Sequence, residues 1–252
     1  MEPVSLSRAW LTRLLGVVSL GLVLALPARA DEPAPAPHAP SASASAHTTS
    51  APAWEKINEA DGIVAYRREV PGSPLIAVRG EGVINASIIR VASVLLDTSR
   101  ATEWIDRVVE SRIVREVSET EVIHYDHVGT PIVMKDRDFV TRGKLEFDTP
   151  NKKIILRFRS VTDPLAPPTQ YIRGEIMQSY FAMTSIEHGS KTHIMVEVHA
   201  DPKGSIAKWL VNMFQTSWPH NTITRLRAQA AKPDIKDHPQ LKAELTKAGY
   251  LN

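Results

Sequence analysis

The sequence contains no cysteine, and this absence excludes several classes of protein at once. It can form no disulfide and no Cys–His catalytic pair, and it has no cysteine for acylation behind a cleaved leader. The globular part also lacks a G-x-S-x-G nucleophile motif and a glycine-rich phosphate loop. The fold must therefore be stabilised by its own apolar core.

The sequence also has no dense cluster of lysine and arginine. It has 30 basic and 28 acidic side chains along its 252 residues, and they are interspersed. Three of the arginines but only one of the acids lie in residues 1–30, so the remaining chain carries equal numbers of both. A protein that tracks a phosphate backbone needs a basic patch, so we expect no nucleic-acid partner.

The first 30 residues have the layout of a secretory signal peptide. Arg8 and Arg13 precede an apolar run from Leu14 to Leu26, which ends in Ala28-Arg29-Ala30, a small-x-small cleavage site. The run is shorter than the about 20 residues of a membrane-spanning helix, which favours cleavage near Ala30 over an uncleaved anchor. We therefore expect an exported protein, either periplasmic or secreted. Export without disulfides suits a bacterial periplasm or culture medium.

The rest of the chain divides into three parts by composition. Residues 31–53 are almost entirely Pro, Ala, Ser and Thr, which predicts a disordered linker. Residues 54–231 run without another low-complexity break and predict one domain. Residues 232–252 are polar and interrupted by two prolines, which predicts a tail whose last stretch forms at most a short peripheral helix.

Hydrophobic periodicity within the domain predicts an α+β fold. A hairpin turning at 71–74 opens it, followed by a helix over 85–97 with Asn85 as N-cap and a second short helix over 99–105. A long helix over 204–230 closes the domain. The predicted strands are 63–70, 75–84, 108–117, 121–128, 136–147, 152–161, 171–183 and 192–200.

Alternation within the strands indicates a sheet with one apolar face. Phe139, Leu145 and Phe147 alternate with charged residues, as do apolar residues in the next strand and in the last. Such a face needs a cover, and the long C-terminal helix is the only predicted element of sufficient length.

Four motifs on these elements resemble a known family, the START (steroidogenic acute regulatory protein-related lipid transfer) domains, over nearly all of residues 54–231. They are 61–63 with Tyr66 and 70–73, Trp104-Ile105, the Arg-Asp-Phe-Val signature at 136–140, and 201–204 followed by 209–212. The resemblance implies a helix-grip fold, in which a long curved antiparallel sheet wraps around a C-terminal helix, with two short helices after the first hairpin.

The resemblance further implies a non-enzymatic protein that binds one lipid, such as a sterol or phospholipid, in an internal tunnel. Transport, sensing and storage remain open. We expect a monomer with transient membrane contact and no cofactor or metal. A gate is expected in the loop 163–170, at Pro164, Leu165, Ala166 and Pro167. The lipid-binding residues would be Phe139, Thr141, Ile154, Leu156, Phe158, Ile172, Ile176, Val196, Leu210, Phe214 and His124.

The sequence departs from the sterol-binding members that it resembles. Those members carry a buried acid and a buried arginine on neighbouring strands. His124 and Gly143 occupy the matching positions, and Ile176 replaces a histidine. Thr141 and His124 are thus the candidate anchors for a lipid hydroxyl.

Two other functions stay open. The same fold hosts aromatase/cyclase enzymes that act on polyketides, for which only His124, whose orientation the sequence leaves open, would provide inward acid–base chemistry. A protein-interaction module displayed by the linker has no motif behind it.

Three polar groups have simpler interpretations than catalysis. The Arg137-Asp138 pair is interpreted as a strand-entry salt bridge or loop clamp. His193, Glu197 and His199 share an outward strand face and are interpreted as a solvated surface. His124 and His127 are three apart on a strand, so they point to opposite faces and cannot ligate one ion.

Overall fold

The computed structural model describes residues 52–130 and 134–250, apart from the side chains of Leu210, Met213 and Phe214. The expected signal peptide and nearly all of the expected linker lie outside the described residues.

Ten strands and four α-helices make up the described part of the chain. The strands are β1 Glu55–Ala60, β2 Ile63–Arg68, β3 Ala77–Ile84, β4 Val108–Ser118, β5 Glu121–Val128, β6 Arg137–Asp148, β7 Lys153–Ser160, β8 Ile172–Arg173, β9 Glu175–Ile186 and β10 Lys191–Asp201. The helices are α1 Ile88–Leu96, α2 Lys208–Gln215, α3 Trp218–Ala230 and α4 Pro239–Lys247. Short 3-10 helices span Thr98–Glu103 and Glu187–Gly189.

The strands form one sheet in the order β1-β2-β3-β10-β9-β7-β6-β5-β4, while β8 pairs with β6 alone. All pairs are antiparallel except β8 with β6. The expected α+β architecture is thus confirmed, including the two short helices after the first hairpin. β1 was not predicted, because its sequence Glu-Lys-Ile-Asn-Glu-Ala is a mostly exposed edge strand without apolar alternation.

The inner face of the sheet carries the core. α3 packs against β2, β3 and β10, and α1 packs against β9 and β10. Gly80 permits the closest approach of a helix, because a Cβ at that position would lie 2.6 Å from Pro219 Cβ. The N-cap of α1 is Ser87, whose side chain accepts from the Arg90 N–H, and not the expected Asn85.

The C-terminal helix is divided, which corrects the prediction of one helix over 204–230. α2 ends at Gln215 and α3 begins at Trp218, with Pro219 in its first turn. Proline has no N–H to donate to the preceding turn and clashes with it, so a continuous helix cannot pass through this position. The break places Trp218 in the core, with its ring edge-on to Phe181 at 6.5 Å between centroids.

The tail after residue 231 is part of the core rather than a peripheral segment. Leu241 and Leu245, one turn apart on α4, are buried with Ile235 and Tyr250 in the main apolar cluster. The Tyr250 hydroxyl donates to the Lys153 carbonyl at 3.0 Å, which fixes the tail to the start of β7. The packing of the tail was not predicted because the tail has few apolar residues. A few large side chains at helical spacing are nevertheless enough to dock it.

Candidate functional site

Eight of the predicted lipid-binding residues lie together on the inner face of the sheet. Cross-strand register places their side chains on the side covered by α1 and α3, and each is at most 2 % exposed. They are Phe139, Thr141, Ile154, Leu156, Phe158, Ile176, Val196 and His124. The inward orientation is confirmed for all of them except His124, whose orientation the sequence had left open, and contact with a ligand stays a prediction.

The other three predicted residues are placed differently. Ile172 is half-buried on the short strand β8, where its side chain lies against Gly204 and not among the inner-face rows. Leu210 and Phe214 belong to α2, and their side chains lie outside the description.

A group of polar side chains interrupts the apolar inner face on β4, β5 and β6. We call Ser111, His124, Asp126 and Thr141 the interior polar cluster. His124 Nδ1 lies 3.0 Å from Asp126 Oδ2, and His124 Nε2 lies 3.3 Å from Ser111 Oγ. A carboxylate only accepts, so Nδ1–H donates to Asp126 and Nε2 is left to accept from the Ser111 hydroxyl. The inner-face side chains of His124, Asp126 and Thr141 are all fully buried.

Two atoms of this cluster have no partner among the described residues. They are Asp126 Oδ1 and Thr141 Oγ1. Buried polar atoms in native proteins are nearly always hydrogen-bonded, so an unpaired acceptor beside an unpaired hydroxyl indicates a place for an external polar group. The sequence analysis missed Asp126. Its spacing of two from His124 on a strand was the available signal, because such residues share a face.

The Arg137-Asp138 pair is a double loop clamp, as the second interpretation predicted. Arg137 is buried and donates to the carbonyls of Lys135, Pro202 and Lys203, so it fixes the approach to α2. Burial lowers the pKa of its guanidinium. Asp138, on the opposite face, accepts from Arg173 and from the Thr169 hydroxyl.

α2 is attached to its surroundings through polar side chains. Asn212 donates to the Pro74 carbonyl and accepts from the Ile76 N–H, and Gln215 donates to the Ala200 carbonyl. A cleft of about 490 Å³ lies beside Asn212, bordered by the β2–β3 turn. Trp209 of α2 is 68 % exposed, although it is the largest apolar side chain type.

The predicted gate loop packs its buried residue against the outer face of the sheet, and its role as a gate stays a prediction. Ala166 is buried in a separate small cluster with Ile123, Tyr125 and Val140, which point away from α3. Asp163 pairs with Arg115 at 2.7 Å and anchors the start of the loop. Of the predicted gate residues, Ala166 therefore covers the outside of β5 and β6, whereas Pro164, Leu165 and Pro167 are exposed.

The histidines and the outward acid of the sheet are held by structural partners. His127 points outward, opposite to His124 as predicted, and bonds Asp136 at 2.8 Å. Glu197 is buried rather than solvated, because Arg79 and the Tyr180 hydroxyl bond its carboxylate and Trp54 covers Arg79. Burial, with this hydrogen bond, raises the pKa of Tyr180 to about 12.

Residues 52–130 and 134–250 contain no group of three or more potential metal ligands. Within the same ranges no helix has the length and apolarity to cross a membrane.

Known proteins resemble this chain in sequence and structure. An uncharacterised protein of Pseudomonas aeruginosa is 26% identical over 181 residues, which are 71% of this chain and 87% of that protein. The structure of a STAR-related lipid transfer protein fragment from Xanthomonas axonopodis matches with a TM-score of 0.62 at 29% identity, and covers 71% of this chain and 99% of the fragment. Human STARD10 matches with a TM-score of 0.66 at 19% identity, over 77% of each chain.

These matches support the helix-grip fold that the motifs implied. The START domain family model matches residues 40–230, which is most of the chain and includes every strand of the sheet. The chain therefore belongs to the START domain family.

Proposed function

We propose that this protein binds a single lipid between the sheet and its covering helices, for transport or sensing outside the cytoplasm. The observation that carries the proposal is the inner face itself, which is mainly apolar along five neighbouring strands yet holds the unpaired atoms Asp126 Oδ1 and Thr141 Oγ1 on two adjacent strands. Such a surface suits a ligand with a long apolar body and one polar end. Membership of the START family and the similarity to a STAR-related lipid transfer protein support lipid binding as well.

The direct test is organic extraction of the purified protein followed by mass spectrometry. We expect about one lipid per chain, either co-purified or taken up from vesicles of bacterial lipid. A chain that neither carries nor takes up any lipid would refute the proposal.

In our proposal the protein binds the lipid and does not alter it. One observation favours a second candidate function, an enzyme of the cyclase type. Ser111, His124 and Asp126 form a hydrogen-bonded chain in the order that general-base catalysis uses. Incubating the lipid-loaded protein and analysing the recovered ligand separates the two. A binder returns the lipid unchanged, and an enzyme returns a product whose formation is lost in His124→Gln.

We further propose that α2 makes the transient membrane contact, with Trp209 as the inserted side chain. Tryptophan is favoured at membrane interfaces, and the adjacent Lys208, which pairs with Asp201 but is 40 % exposed, can approach anionic headgroups. Trp209→Ser should slow lipid transfer between vesicles severalfold without changing the melting temperature. Leu165→Ser is the matched control, because Leu165 is 61 % exposed on the outer face.

Export completes the proposal. The Arg-flanked apolar run and its small-x-small end support removal of residues 1–30, and the mature chain would then act as a monomer on a Pro/Ala/Ser tether. N-terminal sequencing of the exported protein should find Asp31 or a close neighbour. Intact Met1 on membrane-embedded material would show an anchor instead.

A further inference from the structure

We infer that the polar end of the bound lipid is a single uncharged hydroxyl group, held by Asp126 and Thr141. The inference rests on the proposed lipid binding and names the chemical class of the ligand. The hydroxyl donates to Asp126 Oδ1 and accepts from the Thr141 hydroxyl.

The register of β5 and β6 brings the two unpaired atoms together. His124 is paired with Thr141 and Asp126 with Phe139, so Asp126 and Thr141 are diagonal neighbours on the inner face. Diagonal neighbours lie about 7–8 Å apart, with somewhat less between Cβ atoms. One oxygen atom between their side chains can hydrogen-bond both at about 2.8 Å.

The partners of this cluster fix the direction of the hydrogen bonds. Asp126 Oδ2 is occupied by His124, and Oδ1 can only accept while the carboxylate is ionised. Thr141 Oγ1 carries a proton to donate and lone pairs to accept. A hydroxyl group satisfies both atoms at once, because it donates one hydrogen bond and accepts others.

A phosphate does not fit this place. It would bring negative charge to the Asp126 carboxylate in a site without counter-charge. Arg137 is the only arginine or lysine fully buried in the described part of the chain. All three of its nitrogens already donate to backbone carbonyls, so it has little capacity left for a phosphate.

An ammonium group fits less well than a hydroxyl, since its three N–H donors need three acceptors. The cluster offers only Asp126 Oδ1 and Thr141 Oγ1 as unpaired atoms among the described residues. Ser179 Oγ is also unpaired on the inner face, but it lies on β9 with β7 between it and Thr141. One N–H of a bound ammonium would thus stay without a partner in an apolar surrounding.

The test offers the full-length mature protein an equimolar set of probes that share one hydrocarbon. The set is hexadecan-1-ol, its methyl ether, hexadecylamine and hexadecyl phosphate in neutral vesicles, and a second set places the same four groups on a sterol skeleton. Mass spectrometry of the re-isolated protein gives the ratio of bound probes. We expect the bound amount of the alcohol to exceed that of each other probe by on the order of tenfold in at least one set. This is the effect of losing one hydrogen bond to a charged group.

Variants then assign the preference to the cluster. Asp126→Asn should reduce the alcohol-to-ether ratio to within about threefold of unity, because only the alcohol can donate to the carboxylate. Thr141→Val removes the donor that the alcohol and ether oxygens share, so it should lower the bound amounts of both relative to wild type. Ser179→Ala should retain the wild-type ratio and the wild-type bound amounts. If Asp126→Asn fails to fold, as judged by circular dichroism, the wild-type alcohol-to-ether ratio together with Thr141→Val carries the test.

The outcomes separate the two proposals. Equal binding of alcohol and ether, or a preference for phosphate or amine, overturns the hydroxyl inference and leaves lipid binding intact. Binding of no probe in either set, together with no extracted lipid, refutes lipid binding itself.

Discussion

At the scale of single residues, small side chains decide how closely the helices approach the sheet. Gly80 and Gly82 lie on the inner face of β3, where larger side chains would push α3 away. The contacts differ in distance. A Cβ on Gly80 would meet Pro219 Cβ at 2.6 Å, whereas a Cβ on Gly82 would meet Ile63 at 3.2 Å and both the Arg227 side chain and the Gly62 carbonyl oxygen at 3.3 Å.

Gly80→Ala should therefore lower the free energy of unfolding by about 1–3 kcal/mol, as overpacking does in a filled core. The rigid proline ring cannot rotate away from the added methyl group. Gly82→Ala is the matched substitution and should cost less, because its nearest contacts lie at 3.2 and 3.3 Å rather than at 2.6 Å. Urea denaturation of both variants measures the difference, and equal losses would contradict this account.

His238 makes the docking of α4 dependent on pH. Its Nδ1 accepts from the Leu241 N–H as N-cap of the helix, which a protonated imidazole cannot do. Burial lowers the pKa of His238, with Asp97 opposing this effect and the Arg90–Asp237 ion pair nearby. The unfolded chain then binds the proton more readily than the folded chain.

Stability should consequently fall as pH drops below about 6.5, the ordinary pKa of histidine, until the lowered folded pKa is passed. His238→Asn retains a good N-cap without a titrating group, so its melting temperature should change less between pH 8 and pH 5. The comparison isolates His238 from His199, whose pKa is also lowered by burial. An identical pH profile for both proteins would exclude His238 as the cause.

At the scale of elements, α4 is a structural part of the domain. Leu241 is fully buried in the main core, so Leu241→Ala should lower the free energy of unfolding by about 2–5 kcal/mol. Lys242→Ala, on the exposed side of the same turn, should change it by less than about 0.5 kcal/mol. Thermal and urea denaturation measure both. Similar small effects would mean that the tail is only loosely docked.

The loop between β7 and β8 is held against the outer face of the sheet, so we expect that it stays in place during lipid entry. Thr169 and Arg173 fasten it to Asp138 on the outer face. Thr169→Val should make the loop more sensitive to limited proteolysis, because one of its anchoring hydrogen bonds is lost. Lipid exchange with vesicles should keep its wild-type rate. A severalfold change in that rate would restore this loop as part of the entry path.

At the scale of the whole molecule, the balance between a filled core and a ligand space decides function. Ile176→Trp adds volume on the inner face and should reduce lipid uptake severalfold while the melt stays cooperative. If Ile176 instead lies in dense core, the variant should lose about 1–3 kcal/mol with lipid uptake unchanged. Ile155→Trp adds the same bulk on the outer face of β7 and should leave uptake unaltered. Uptake assays together with melting curves distinguish these cases.

The sequence by itself determined most of the strands, their inward faces and the family resemblance, but not the edge strand β1. These follow from period-two alternation and local motifs, as in Phe139 and Thr141 on β6 or Ile154 and Leu156 on β7, because each strand buries the face that its own side chains define. The orientation of His124 stayed open, and its pairing opposite Thr141 decided it.

Only the tertiary structure decided which side of the sheet each loop covers and which elements meet. The loop between β7 and β8 lies against the outer face because Thr169 bonds Asp138 there and Ala166 packs against side chains of β5 and β6. The tail packs into the core through contacts of α4 with other elements. The pairing of β5 with β6 likewise brings Asp126 and His124 close to Thr141. Local pattern cannot specify such contacts, since they depend on where the folded sheet brings distant segments together.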